Sequence, residues 1–165
     1  MASDASLDPP HMIESIDHIN IVVDDLDAMV AFYTKVLGLK ITKEVVINGE
    51  WVGRVVGLSN VEADVVYLEF RSGGPRIELI RYRTPNGLRP VGIDVANAKG
   101  LRHLAFRVRD IDSTVAALKA SGVELWSDVE VVPDDQVRYK NGLRKRLLYF
   151  RDPEKNLLEL CEYRS

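Results

Sequence analysis

The chain has 165 residues, 46% of them hydrophobic and 28% charged, enough for one compact domain that buries roughly 70% of its unfolded surface. No apolar run approaches the ~20 residues that span a bilayer, and 22 basic against 25 acidic residues, a net charge of -3, leave no basic field for a nucleic-acid backbone; neither a membrane nor nucleic acid is expected as a partner. The single cysteine, Cys161, rules out an internal disulfide and fits a reducing compartment, so a cytoplasmic location is expected.

Residues 1–12 mix Ser, Asp and Pro without apolar periodicity and lack the basic and apolar regions of a signal peptide. They read as a disordered tail or a cloning scar ahead of Met12, and His11 is left out of any ligand set. A first module is expected over residues 13–83. Ile19, Ile21 and Val23 alternate as on a strand. Asp25 stands where an N-cap belongs, Leu26, Met29, Val30 and Tyr33 form a helical stripe, and Gly38 stops the helix. Strands are expected over 39–47, 63–71 and 75–82. Between them, residues 48–60, with Trp51 and Arg54, read as an insertion loop of the kind that closes over a ligand. Pro85 and Pro90 mark 84–100 as a connection.

The second module, over residues 101–165, repeats the first. The segment Asp17-His18-Ile19-Asn20-Ile21-Val22-Val23-Asp24-Asp25-Leu26-Asp27 lies over Arg102-His103-Leu104-Ala105-Phe106-Arg107-Val108-Arg109-Asp110-Ile111-Asp112. Likewise, Ile77-Glu78-Leu79-Ile80-Arg81-Tyr82 lies over Leu158-Glu159-Leu160-Cys161-Glu162-Tyr163. Asp110 is the second N-cap, Ile111, Val115 and Leu118 the second stripe, and Gly122 the second stop. Strands are expected over 123–131, 144–151 and 156–163, with a second insertion, 132–143, that holds Asp134, Asp135, Arg138 and Tyr139. The class is therefore α+β: two tandem βαβββ modules in one compact domain.

Each module opens on a histidine and closes on a glutamate. If Ile19, Ile21 and Val23 face the helix, His18 and Asn20 face the other side of the sheet, and His103 follows beside Leu101 and Ala105. Glu78 shares its face with Ile80 and Tyr82, and Glu159 with Leu157 and Cys161. A carboxylate among apolar neighbours must be protonated, paired or metal-bound. Two carboxylates and two neutral imidazoles cancel a divalent cation, which makes His18, Glu78, His103 and Glu159 the expected ligand set, with positions open for water or substrate. Cys161 reads as an inert buried thiol. Arg54, Arg138, Lys140 and Arg144 are basic loop residues with no individual assignment.

The opening Asp17-to-Leu26 segment, the helix end Ala31-Phe32-Tyr33-Thr34-Lys35-Val36-Leu37-Gly38-Leu39, the Arg102-to-Phe106 strand and Asp152-Pro153-Glu154-Lys155-Asn156-Leu157-Leu158-Glu159-Leu160 together resemble the vicinal oxygen chelate superfamily. That group includes glyoxalase I, methylmalonyl-CoA epimerase, extradiol dioxygenases, fosfomycin resistance enzymes and bleomycin resistance proteins. The likeness runs from Ile13 to Tyr163. It implies a curved mixed sheet, a half-barrel with helices outside, around one divalent ion (nickel, zinc, cobalt, manganese or iron) on the four residues named above. The ligand pattern is most similar to glyoxalase I; at the Glu78 place an epimerase would usually carry glutamine.

The resemblance also implies a homodimer acting on a small-molecule substrate. The leading expectation is a lyase, isomerase or epimerase that removes a proton alpha to a metal-bound carbonyl, with Glu159 or Glu78 as the base. An extradiol dioxygenase using ferrous His18, His103 and Glu159 is the alternative, and a bleomycin-resistance-like binding protein the second.

Overall fold

The computed structural model describes residues 13–165, so the reading of 1–12 lies outside the described residues. The first module runs β1 (His18–Val22), α1 (Leu26–Ala31) continued by a wider π-type turn over Phe32–Val36, β2 (Lys40–Asn48), α2 (Glu50–Val56), β3 (Glu62–Glu69) and β4 (Arg76–Thr84). The second runs β5 (His103–Arg107), α3 (Ile111–Ala120), β6 (Glu130–Val131), β7 (Arg144–Arg151) and β8 (Leu157–Arg164). Each module makes its own four-stranded mixed sheet, in the orders β1-β4-β3-β2 and β5-β8-β7-β6. The first and last strands of each module pair in parallel and the rest antiparallel. The α+β class and the duplicated module therefore stand.

The helix starts follow from their caps. The Asp25 carboxylate accepts the Ala28 N–H at 3.0 Å, and Asp110 accepts those of Asp112 and Ser113 at 3.0 and 3.2 Å, so orphan amides at both helix starts are satisfied. Gly38 and Gly122 leave the helices at φ +78° and +73°, a left-handed turn that a Cβ would strain.

The helix faces of both modules merge into one core. Met29, Tyr33, Leu68, Ile77 and Leu79 enter it from the first module, and Ile111, Leu118, Leu148, Phe150 and Leu158 from the second. Each such side chain contributes about 1.5–3 kcal/mol of transfer free energy on burial. Polar clasps join the modules as well. Glu154, in the β7–β8 turn, accepts the Asp24 and Asp25 N–H groups at 2.7 and 2.8 Å, and the buried Asp152 beside it accepts the Tyr33 hydroxyl at 3.3 Å. No helix among the described residues is long and apolar enough to cross a membrane.

Two expectations need correction. Residues 48–60 are not simply a loop, because α2 occupies their middle. Its end is a left-handed Gly57, and Val52, 2% exposed, anchors it. Gly53 is obligatory there, since a Cβ would lie 2.7 Å from the Leu58 carbonyl oxygen. The strand expected over 123–131 is only β6, at 130–131, together with a lone bridge from Leu125 to Phe150. The Ser127 hydroxyl takes the Tyr149 N–H that a backbone carbonyl would have accepted, which interrupts the ladder.

Candidate metal centre

Strand parity puts the two histidines and two glutamates on the sheet faces opposite the helices. Ile77 and Leu79 of β4 lie in the main core, whereas Ile80 joins a second cluster with Ala63, Val65, Tyr67 and Tyr82 on the face that also carries Glu78. In β8, Leu158 and Leu160 face the core, and Glu159 and Cys161 face away from it. The register matches in both halves: Glu78 lies between Asn20 and Tyr67, and Glu159 between Ala105 and Tyr149.

In the first half, His18 Nε2 stands 3.4 Å from Glu78 Oε2. Its Nδ1 is 2.7 Å from the Asp17 carboxylate, which is itself held by Arg76. An ionised carboxylate can only accept, so Nδ1 carries a proton, and Nε2 is the ring nitrogen turned toward the second carboxylate. Hydrogen bonds from His18 and then Arg76 hold the Asp17 carboxyl below the usual carboxylate range. Glu78 is further gripped by Asn20 Nδ2, at 2.7 Å, and by the Tyr67 hydroxyl. Burial, followed by Glu78, pushes the Tyr67 phenol up to about 12.

In the second half, His103 Nε2 lies 3.3 Å from Glu159 Oε2, and the imidazole stacks at a tilt on Tyr149 at 5.1 Å. Glu159 is 4% exposed. Lys145 Nζ reaches within 2.6 Å of Glu159 Oε1, close enough for an ion pair, yet that buried oxygen has no aligned hydrogen bond. Burial alone would lower the Lys145 pKa, but the Glu159 carboxylate outweighs it and the net shift is upward.

These spacings fit a metal. Two donors about 2.1 Å from one ion lie roughly 3.0 Å apart at an octahedral angle and roughly 3.4 Å apart at a tetrahedral one. Each His–Glu pair thus has the separation of one edge of a coordination polyhedron, and the donor set suits divalent ions. The two edges do not meet within one chain: among the described residues, no three His, Cys, Asp or Glu side chains gather around a point where an ion would sit. A cleft of about 320 Å³ between β1 and β5, roofed by Leu88, Pro90 and Ile93, includes Asn20 and His103 but not His18, Glu78 or Glu159.

Two of the four basic residues have ordinary partners. Arg54 pairs with Glu50 at 3.3 Å and Arg144 with Asp134 at 3.0 Å, while Trp51 stands 54% exposed on α2. Tyr139 packs edge-on against Tyr163 at 5.3 Å, at the rim of the second half. Cys161 is buried, and burial pushes its thiol up, which fits an unreactive side chain. Sequence reasoning missed Asn20, Tyr67 and Lys145 as partners of the glutamates. A signal existed for Tyr67 and Tyr149, which match at one constant offset, and for Lys145, which shares strand parity with Tyr149.

Residues 15–160 match the family model described as the Glyoxalase/Bleomycin resistance protein/Dioxygenase superfamily. The chain belongs to that superfamily. Among its relatives in the superfamily is the uncharacterized protein YaeR of Escherichia coli (strain K12), 30% identical over 152 residues, which cover 91% of this chain and 97% of YaeR. The 2-epi-5-epi-valiolone epimerase of an Actinomyces species is 29% identical over 152 residues, covering 88% of this chain and 78% of the epimerase. The crystal structure of a glyoxalase family protein from Bacillus cereus superposes with a TM-score of 0.78 at 33% identity, covering 93% of this chain and 96% of the other.

Proposed function

We propose that the chain is a divalent-metal-dependent enzyme of the glyoxalase I kind, a lyase, isomerase or epimerase that moves a proton on the carbon next to a metal-bound carbonyl. The observation that carries this reading is the repeated His–Glu edge, His18 with Glu78 and His103 with Glu159, at 3.4 and 3.3 Å. The similarity to an epimerase agrees with it.

The centre is completed between two copies of the chain, the His18–Glu78 edge of one facing the His103–Glu159 edge of the other. Apolar side chains beside the two edges support this arrangement. Ile16, just before β1, and Val22, at its end, are 65% and 47% exposed, and Leu101, near His103, is 76% exposed. Such surface next to half-buried polar groups calls for a cover. The imidazole and carboxylate donors suit nickel, zinc, cobalt, manganese or iron.

When bound, the metal supplies Lewis-acid polarisation of the substrate carbonyl. The chain supplies the proton transfer. Glu78 is tied by Asn20 and Tyr67, whereas Glu159 meets, besides His103, only Lys145, and keeps an oxygen without an aligned hydrogen bond. Glu159 is therefore the carboxylate free to take a proton and return it, and its burial excludes competing water. The Asp17–His18 pair fixes one ligand's tautomer, and Asn20 orients the other.

The test is metal content and solution mass of the purified protein, followed by assays with methylglyoxal plus glutathione, with methylmalonyl-CoA and with catechols under oxygen. A dimer holding one divalent ion per site, with turnover of the hemithioacetal or the thioester, is the expected result. Ring opening with oxygen uptake would transfer the site to dioxygenase chemistry, and a metal-free dimer with tight ligand binding to the sequestering role.

A further inference from the structure

Lys145 is one of the charged positions at which the duplication is broken on the Glu159 face. Lys145 pairs with Tyr163 across β7 and β8, and its counterpart across β3 and β4 is Ala63, paired with Tyr82. The second sheet thus carries an ammonium where the first carries a methyl group. This ammonium stretches along its strand to Glu159 with its side chain only 18% exposed. On the same face, Arg107 pairs with Cys161, two residues beyond Glu159, and its guanidinium lies 5.2 Å from the centre of the Tyr163 ring. Lys145 and Arg107 therefore flank the Glu159–Cys161 strip from β7 and β5.

Charge counting gives this arrangement a consequence that rests on the metal reading above. Glu78 and Glu159 together cancel a divalent ion, and the two imidazoles are neutral ligands. Lys145 lies on the Glu159 oxygen that His103 does not face, so it can stay there when the other oxygen meets the metal, but it then adds one uncompensated positive charge to a largely buried centre, which is costly. Water can serve the exposed Arg107, but Lys145 has little access to it. We propose that the substrate brings the missing charge: it carries a carboxylate, separate from the oxygens that meet the metal, and Lys145 binds that carboxylate with Arg107 as an outer, weaker contact. The substrate class is accordingly an acid with vicinal oxygens rather than a neutral carbonyl compound.

Binding to the cobalt-loaded full chain tests this by calorimetry with two probes. One is succinomonohydroxamate, whose hydroxamate offers two vicinal oxygens and whose far end is a carboxylate; the other is its uncharged amide. The wild type is expected to prefer the acid by about tenfold, the scale of one charge-assisted hydrogen bond. Lys145→Met should bring the two probes to within about twofold, Lys145→Arg should restore most of the preference, and Arg107→Met should reduce it less. Lys145→Met should also bind cobalt at least as well as the wild type, since it removes a like charge from beside the ion. An equal preference in wild type and Lys145→Met, with cobalt bound in both, overturns the carboxylate subsite alone. Absence of cobalt binding by the wild type overturns the metal reading, and this inference with it.

Discussion

Glu78 and Glu159 hold the same register position in two copies of one module, and their surroundings have diverged. Glu78 takes neutral donors, an amide from Asn20 and a phenol from Tyr67, and its histidine is backed by Asp17. Glu159 is more deeply buried, has alanine at the place of Asn20 and arginine at that of Asp17, and is met by the Lys145 ammonium. Tyr149 sits where Tyr67 does but makes no hydrogen bond to its glutamate, and burial, then the Glu159 charge, lifts its phenol. The two His–Glu pairs and their strand positions are common to the two halves, whereas the groups around them are not. One half meets its carboxylate with neutral hydrogen-bond donors, and the other with a cation.

The sharpest break of this comparison is to neutralise each glutamate in turn. Glu159→Gln leaves Lys145 without its partner in a mostly buried setting, so a loss of roughly 1–3 kcal/mol of folding stability is expected. Glu78→Gln leaves only neutral donors, which an amide oxygen can still satisfy, so a loss of less than about 1 kcal/mol is expected. Urea unfolding of the two variants checks the order. Equal losses would mean that Lys145 contributes nothing to the difference between the halves. In metal binding, Glu78→Gln should keep much of the affinity while altering the rate, and unaltered activity would remove Glu78 from the centre.

A second contrast is expected at the residues behind the histidines. Asp17→Asn removes the anion that fixes the His18 tautomer, and such support is worth about 10- to 100-fold in metal affinity. Arg102 stands at the matching place in the second module and points instead toward the connection, where it donates to the Ile93 carbonyl at 3.4 Å. Arg102→Gln should therefore leave metal affinity within about twofold, below the tenfold floor for a supporting partner. Titration calorimetry with one divalent ion on both variants measures the contrast, and a comparable loss in the two would show that the halves are supported alike.

The architecture was legible because duplication writes it twice. His18 over His103, Glu78 over Glu159 and Asp25 over Asp110 fix the module boundaries, strand parity and helix starts without any coordinates. What escaped was of two kinds. α2 was hidden by Gly53, which lowers helix propensity yet is required by the close Leu58 carbonyl, and by its shortness. The convergence of Lys145 on Glu159 depends on a long side chain reaching along the sheet past its own cross-strand partner, which alternation alone does not specify. The meeting of all four side chains, expected from the sequence, does not occur among the described residues of one chain, because parity within each module fixes a face but not the distance between the two sheets' faces.

The finest contrast lies in the two phenols. Tyr67 donates to Glu78, and burial together with that carboxylate raises its pKa from 10.0 to about 12. A raised value means that the folded chain holds this proton more tightly than the unfolded one, so the contribution to stability is complete below pH 10 and fades as pH climbs toward 12. Tyr67→Phe should therefore cost most at neutral pH, about 1.5 kcal/mol, the low end for a hydrogen bond to a charged group because the site is only part-buried, and the gap from the wild type should close across that alkaline window. Tyr149→Phe, with no such bond to lose, should show a smaller and flatter difference. Unfolding curves collected from pH 8 to 12 decide the matter, since a Tyr67 gap that persists undiminished at the alkaline end would mean that its hydroxyl does not serve Glu78.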